Sequence, residues 1–271
     1  MLRRAAADLM RFGWIQATSC MFAGALFAGL AASSVVPLPV PRYDALLVYV
    51  LLLTVGFWLL GLETRRELLV IAGFHLVGLA LELYKVRAGS WSYPEHAWSK
   101  VAGVPLYAGF VYAAVGSYVC QAWRRFGLRV TGYPAVATTV VAVAIYVNFF
   151  THHVLPDVRW VLALAMVIVL CRAWVHFTVG QRRLRMPLAL AFVLIGVFVW
   201  VAENVATLLG AWQYPDQADG WTLVHPSKFG SWSLLVSLSF ALVATVKATE
   251  GRLYGERGTT PSVITTRAGT R

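Results

Sequence analysis

The sequence predicts an all-α membrane protein, a helical bundle of about eight transmembrane helices arranged as two parallel four-helix repeats. Of the 271 residues, 59% are hydrophobic and only 13% are charged, about half the share usual in a soluble domain. Apolar stretches close to the ~20 residues that span a bilayer recur along the whole chain. Two sequence motifs also recur about 120 residues apart.

The apolar stretches are continuous rather than alternating, which indicates helices and excludes the pattern of a transmembrane barrel. The net charge of +11 fits basic residues that flank membrane helices, so it gives no reason to expect nucleic acid as a partner. The three cysteines lie in apolar segments without a CxxC spacing and are best interpreted as small buried side chains. Because the predicted helices are apolar, the expected partners are the lipid bilayer and a lipid-like ligand.

The apolar segments give the expected order of helices, in which the first follows a short basic stretch and is interpreted as a retained helix. The predicted helices cover residues 12–33, 43–61, 68–84, 104–123, 130–151, 160–178, 187–209 and 232–248.

The distribution of basic residues predicts the orientation in the membrane. With the N-terminus in the cytoplasm, sixteen Lys and Arg residues fall on the cytoplasmic side and six on the outer side. This asymmetry places both termini in the cytoplasm of a bacterial inner membrane. The predicted units are a first four-helix repeat at 1–125, a second at 126–250, and a disordered cytoplasmic tail at 251–271, which is rich in Gly, Thr and Arg.

The repeat is predicted from matched motifs. Glu82–Glu95 and Glu203–Asp216 both fit E-x6-G-x-W-x-Y-P-[ED], 121 residues apart. Earlier in each half, L-P-x-x-R-[YW] begins at Leu38 and again at Leu155, 117 residues apart. Because each copy would contain an even number of helices, four, both copies would have the same orientation in the membrane.

Glu82 and Glu203 are the first candidates for chemistry. Each lies near the predicted outer end of a helix and precedes a long outer loop, and long loops in compact bundles are usually functional or disordered. A carboxylate at membrane depth normally faces the bundle interior or a wet cavity. A salt bridge or helix cap with Lys85 or Arg87 is the structural alternative. The recurrence of the same trailing motif favours a catalytic pair.

His75 lies seven residues before Glu82, which puts both side chains on one helix face about 10 Å apart. It is a further catalytic candidate, with a hydrogen-bonded core histidine as the alternative. The aromatic motif residues and a polar residue beside Glu203 are candidates for substrate binding, although aromatic side chains also form belts at membrane interfaces. These candidates are Trp91, Tyr93, Trp212, Tyr214 and Asn204.

A histidine cluster in the second half suggests a metal site. His152, His153 and Asp157 lie at the predicted outer end of the fifth helix, and His225 follows in the last outer loop. Imidazole and carboxylate groups are common metal ligands, although this spacing fits no standard zinc signature. His153 and Asp157 are also candidates for acid–base catalysis. A divalent metal is thus an alternative, and no cofactor is required otherwise.

Four segments make the chain resemble a bacterial membrane-protein family of unknown function over nearly its whole length before the tail. They are ALELYKVRAGSWSYPE, GVPLYAGFVYAAVGSY, NFFTHHVLPDVRW and AENVATLLGAWQYPD.

The stretch ELYKVRAGSWSYPEHAWSKVAGVPLYAGF is also similar to the glutamate, basic-x-Gly, aromatic-Tyr and Val-Pro run of the bisanhydrobacterioruberin hydratase family. Heterodimeric-type lycopene cyclases are similar small helical membrane proteins. Both act on carotenoids by protonating a carbon–carbon double bond. The resemblance implies acid and base roles for Glu82 and Glu203. After Gly89, the residues Ser-Trp-Ser-Tyr-Pro replace the proline-tyrosine-glycine order of the hydratases.

We therefore expect an intramembrane enzyme that acts on an isoprenoid or other long-chain lipid near the outer membrane face. An apolar setting would keep one carboxyl protonated as the general acid, and a second carboxylate or histidine would be the base. A metal-dependent lipid hydrolase or oxidoreductase that uses the histidine cluster is one alternative. A small-molecule or lipid transporter is the other.

Overall fold

The computed structural model describes residues 2–151, 154–249 and 253, and these residues are mostly helical. The described elements, in chain order, are α1 Leu2–Ser19, α2 Met21–Val35, α3 Arg42–Leu59, α4 Arg65–Arg87, β1 Lys100–Val101, β2 Val104–Pro105, α5 Ala108–Arg125, β3 Arg129–Thr131, α6 Ala135–Thr151, α7 Arg159–Val169, β4 Trp174–Val179, β5 Arg182–Pro187, α8 Leu188–Leu208 and α9 Lys228–Thr249.

Several of these helices could cross a membrane. In the described residues, α3, α4, α8 and α9 are long and apolar enough, and the bent pair α1–α2 would make a fifth span. α6 and α7 are apolar but shorter, with 17 and 11 residues. The chain is therefore a helical membrane protein with four to five candidate spans, and the predicted number of eight is not confirmed.

The first predicted helix, 12–33, is broken. α1 ends at Ser19, α2 begins at Met21, and their axes differ by 63°. α1 packs through Phe12, whose ring centroid lies 5.4 Å from that of Phe126. The opposite side of α1 exposes large apolar side chains, as expected of a helix in contact with lipid.

The second half of the predicted helix 160–178 is a strand. α7 ends at Val169, and β4 pairs with β3 on one side and β5 on the other, antiparallel in both cases. The sequence WVHFTV explains this, because it is rich in β-branched and aromatic residues, and Val175, Phe177 and Val179 alternate with more polar or more exposed positions, the pattern of a half-buried strand. The predicted all-α class therefore holds only in the coarser sense of a mostly helical protein.

Gly132 follows β3 with φ +64°, and a Cβ at this position would lie 2.2 Å from the carbonyl oxygen of Arg172. Gly132→Ala should destabilise the fold by about 3 kcal/mol, because a left-handed backbone and a backbone clash combine. The matched control is Gly127→Ala, at φ +58° with no atom within 4 Å, which should cost about 1 kcal/mol. Thermal unfolding of the detergent-solubilised variants measures the difference, and equal losses would refute this account of Gly132.

The end of the bundle that holds most of the basic residues is closed by a buried polar network. Glu67 caps the start of α4 through Thr64 and lies 3.4 Å from Arg124 and 3.8 Å from Lys247. Glu63 accepts a hydrogen bond of 2.5 Å from Ser117, and burial raises the pKa of its carboxyl group. At the opposite end, Lys85 of α4 donates to the carbonyl of Phe149 at 2.7 Å.

Candidate active site

Glu82 is positioned by the way in which α4 ends. Its side chain is buried, 4% exposed, and the helix stops five residues later at Arg87. Gly89 adopts φ +69°, and Ser90 N–H donates to the carbonyl of Lys85 at 2.9 Å. This glycine-terminated helix end reverses the chain and sends the following residues back along α4. The motif E-x6-G-x-W-x-Y thereby brings its Trp and Tyr to its own glutamate.

Three side chains donate hydrogen bonds to the carboxyl group of Glu82. Trp91 Nε1 and Tyr93 OH both donate to Oε2, at 2.6 and 2.8 Å. Tyr112 OH of α5 donates to Oε1 at 2.7 Å. Both oxygen atoms of this buried carboxyl group thus accept hydrogen bonds from aromatic side chains.

Glu203 has a closely similar environment on α8. It is 3% exposed, and the helix ends through Gly210, at φ +68°, with the same pattern of backbone hydrogen bonds. Tyr214 OH donates to Oε1, and Trp232 Nε1 of α9 donates to Oε2 at 2.7 Å. Each glutamate therefore has one oxygen bonded to a tryptophan and the other bonded to a tyrosine.

The two glutamate motifs contact each other directly. Ser92 and Gln213, each ten residues after its glutamate, exchange two backbone hydrogen bonds of 2.9 Å in an antiparallel bridge. The rings of Trp91 and Tyr214, which donate to different glutamates, meet edge to face with centroids 6.0 Å apart. The two carboxyl groups consequently belong to one aromatic cluster.

A cavity of about 360 Å³ joins the two carboxyl groups. Its back wall is α5, its sides are α2 and α8, and the two W-x-Y segments cover one end. Gly24 and Phe198 on the two sides are exposed, so the cavity opens laterally between α2 and α8. The lining includes Glu82, Glu203, Trp91, Tyr93, Tyr112, Trp212, Tyr214 and Trp232.

The loop that covers the site is held by charged side chains. Arg42 at the start of α3 donates to Glu95 at 2.8 Å and to the carbonyl groups of Leu209 and Gly210 at 2.5 and 3.2 Å. Lys100 donates to two carbonyl groups of the same loop, and burial lowers the pKa of its ammonium group. These contacts fix the W-x-Y segments over the cavity.

The donors define what the carboxyl groups can do. A tryptophan Nε1–H can only donate, so Oε2 of each glutamate must accept. A tyrosine hydroxyl can donate or accept. Tyr112 and Tyr214 can therefore donate to an ionised Glu82 or Glu203, or accept a hydrogen bond from the protonated carboxyl group. Burial raises the pKa of the Tyr93 and Tyr214 hydroxyls well above the usual value, which keeps both hydroxyls protonated. Each glutamate can therefore hold or release one proton at Oε1.

Comparison with known proteins decides the family. Residues 8–240 match the family described as "Protein of unknown function (DUF817)". The chain belongs to this family. It is 54% identical over 246 residues to the "Uncharacterized protein YoaT" of Bacillus subtilis (strain 168), which covers 90% of this chain and 93% of the relative. No solved structure matches the chain. The predicted membership of a family of unknown function is thus confirmed.

Within this DUF817 chain, the predicted binding residues Trp91, Tyr93, Trp212 and Tyr214 all line the cavity. Asn204 does not belong to that lining. Its Nδ2 donates to the carbonyl of Trp200, and its Oδ1 accepts from Val224 N–H at 2.8 Å, so Asn204 attaches the loop between α8 and α9 to α8.

Two predicted histidines also lie outside the cavity lining. The His75 ring packs on Phe110 with centroids 4.3 Å apart, and no partner for its buried Nδ1 occurs among the described residues. His225 is exposed, and its Nδ1 accepts from the backbone N–H of Ser227 at 3.2 Å. The geometry gives neither of them a contact with the two glutamates.

Asp157 supports the start of α7. Its carboxylate accepts hydrogen bonds from Asn148 and from the backbone and side chain of Arg159 at 3.0, 3.0 and 2.6 Å. Burial alone would raise the pKa of Asp157, but these hydrogen bonds outweigh it and lower the pKa.

A depressed pKa in the folded state gives stability that is present above the unfolded pKa and is lost as the pH falls through the folded value. Asp157→Asn should therefore lower the unfolding midpoint at pH 7, and the difference from wild type should shrink below about pH 4. Unfolding curves of both proteins across this range check the prediction. A difference that is independent of pH would contradict it.

The predicted metal site stays a prediction. His152 and His153 lie outside the described residues. Among the residues that the structure describes, no group of three or more His, Cys, Asp or Glu side chains is placed to hold a metal ion.

The sequence interpretation missed Tyr112 and Trp232, the donors from α5 and α9. Tyr112 lies in the segment GVPLYAGFVYAAVGSY, and Trp232 follows the loop between α8 and α9. The available signal was an aromatic residue with a polar group near the start of a helix. Only packing of α5 against α4 and of α9 against α8 brings them to the glutamates.

Proposed function

We propose that this chain is an intramembrane enzyme that acts on an isoprenoid or other long-chain lipid, with Glu82 and Glu203 as its acid–base pair. One observation carries the proposal, namely the laterally open apolar cavity that is lined by both buried carboxyl groups. Ligand sites are typically apolar cavities of about 300–1,000 Å³ with a few convergent polar groups, as here.

The proposed reaction begins with protonation of a carbon–carbon double bond by one carboxyl group. The resulting cation loses a proton from a neighbouring carbon to the second carboxylate, which gives an isomer, or gains water and then loses a proton, which gives an alcohol. In both cases the proton gained and the proton lost balance. Each carboxyl group has a tyrosine contact at Oε1, so either Glu82 or Glu203 can be the acid while the other is the base.

The walls favour a lipid substrate over a transported polar solute. Between the aromatic cover and the level of Tyr118, the cavity side of α5 presents Ala114 and Val115, and that of α8 presents Ile195 and Val199. An apolar wall offers no hydrogen bonds to a polar solute that crosses the bilayer. A hydrocarbon chain can enter from the lipid through the opening between α2 and α8.

We further propose that the protein lies in the bacterial inner membrane with both termini in the cytoplasm, and that the carboxyl pair lies near the outer face. The basic residues at the end opposite to the glutamates support this orientation. We also propose that the bundle consists of two duplicated four-helix halves with eight membrane-crossing segments in total. The reciprocal pairing of Ser92 with Gln213 supports this, because equivalent residues meet in this way across a two-fold axis.

The enzyme proposal is tested by untargeted mass spectrometry of lipids and pigments from the native host. Wild type, a deletion strain and the complemented deletion are compared. We expect one lipid species to disappear in the deletion, its precursor to accumulate, and complementation to restore both. The mass difference between precursor and product would identify the reaction, since hydration adds the mass of one water molecule and isomerisation leaves the mass unchanged. Identical profiles in all three strains would overturn the proposal under those growth conditions.

A further inference from the structure

The far end of the cavity has a polar pair that the proposed acid–base chemistry does not use. Gln16 of α1 and Tyr118 of α5 line the cavity, and Tyr118 OH donates to Gln16 Oε1 at 3.1 Å. Both side chains are half-buried. In the described part of the chain, Gln16 Nε2 makes no hydrogen bond, so its two N–H groups are available to a ligand.

The distance from this polar pair to the carboxyl groups follows from helix geometry. The cavity side of α5 runs from Ala108 to Tyr118, ten residues, or about 15 Å at 1.5 Å per residue. The carboxyl of Glu82 is bonded to Tyr112, four residues into this run, so about 9 Å of helix separate Tyr112 from Tyr118. The cavity is therefore elongated, with carboxyl groups towards one end, amide and hydroxyl groups at the other, and apolar walls between them.

The break between α1 and α2 places the amide there. Because the chain bends by 63° at this point, Gln16 reaches the cavity from α1, beside Cys20, while α2 forms the side wall. A simple link between α1 and α5 explains the Gln16–Tyr118 bond but leaves the free amide group of a cavity residue unexplained.

We propose that Gln16 and Tyr118 form a distal subsite that binds the oxygen-bearing end of an extended chain lipid, while the reacting part of the chain lies at Glu82 and Glu203. The amide Nε2 of Gln16 donates to a hydroxyl or carbonyl oxygen of the ligand. This inference rests on the proposed function, because it names the class of substrate for the same cavity. The substrate is then a long-chain alcohol or carbonyl compound rather than a pure hydrocarbon.

The test uses the purified full chain in phosphatidylcholine nanodiscs, with dodecan-1-ol and dodecane as probes of about the length of the cavity. Bound probe is quantified by mass spectrometry after repurification. Wild type should retain the alcohol about five-fold more than the alkane, the ratio that one neutral hydrogen bond gives. Gln16→Leu should abolish this preference and still retain the alkane. The matched control, Thr18→Val, changes a residue of the same helix outside the cavity lining and should keep the preference.

Each outcome decides between the two proposals. If Gln16→Leu retains the five-fold preference, the distal subsite is wrong, while the cavity and the proposed enzyme are unaffected. If wild type retains neither probe, the cavity does not bind chain lipids and both proposals fail. Tyr118→Phe is the second variant, in case Gln16→Leu does not fold. It removes the hydroxyl group of the subsite at nearly constant volume and should also reduce the preference.

Discussion

Replacement of Glu203 with glutamine is expected to lower product formation by about 10²- to 10⁴-fold, the contribution typical of a positioned general acid or base. Glutamine cannot release a proton to a double bond, whereas the cavity and the aromatic cover remain. Glu82→Gln should give a loss of similar size, because the proposed reaction needs both an acid and a base. The measurement is the amount of the product lipid in the native host, complemented with each variant at matched protein level.

The geometry predicts that both variants still fold. A glutamine can place its oxygen towards the tryptophan donor and its amide nitrogen towards the tyrosine, whose oxygen then accepts in place of donating. The unfolding midpoint should therefore stay close to that of wild type. Asp219→Asn changes an exposed acidic residue in the loop between α8 and α9, is the matched control and should retain full activity. Full activity of both glutamate variants would remove them from catalysis.

Glu82 and Glu203 could be selected from the sequence because each is followed by the same glycine, tryptophan and tyrosine at the same spacing. A helix that ends in glycine seven residues after a glutamate must turn back, so Trp91 and Tyr93 return to Glu82 by local geometry alone. The same rule applies to Tyr214 and Glu203. That the two devices share one cavity was not predictable, because it depends on how α4, α5 and α8 pack.

Spacing along the sequence does not determine which side chains a residue contacts. A spacing of seven residues places His75 on the same side of α4 as Glu82. The His75 ring nevertheless contacts Phe110 and lies outside the cavity lining. Asn204, beside Glu203 in sequence, points to the loop at Val224. The sequence predicts helix at β4 because apolar content dominates its alternating pattern. β5 follows β4 after two residues, but the other partner, β3, is distant in sequence.

Arg42→Ala is expected to destabilise the protein by about 3 kcal/mol, the second large effect that the structure predicts. The side chain is 12% exposed and bonds to Glu95, to Ser33 on α2 and to the carbonyl groups that end α8. Its removal leaves those carbonyl groups without their donor and detaches the loop that covers the cavity. The unfolding midpoint should fall by roughly 6–12 °C.

The matched control is Arg159→Ala, at the equivalent position of the second L-P-x-x-R motif. Arg159 is 32% exposed and pairs with Asp157, two residues away, so its loss should cost about 1 kcal/mol or less. Sequence treats the two arginines alike, but Arg42 is more deeply buried and donates to three distant carbonyl or carboxylate groups, whereas the one distant partner of Arg159 is the hydroxyl of Ser231 at 3.2 Å. The two midpoints should therefore differ by several degrees. Equal losses would mean that the cover over the cavity is held by Lys100 and the Ser92–Gln213 bridge rather than by Arg42.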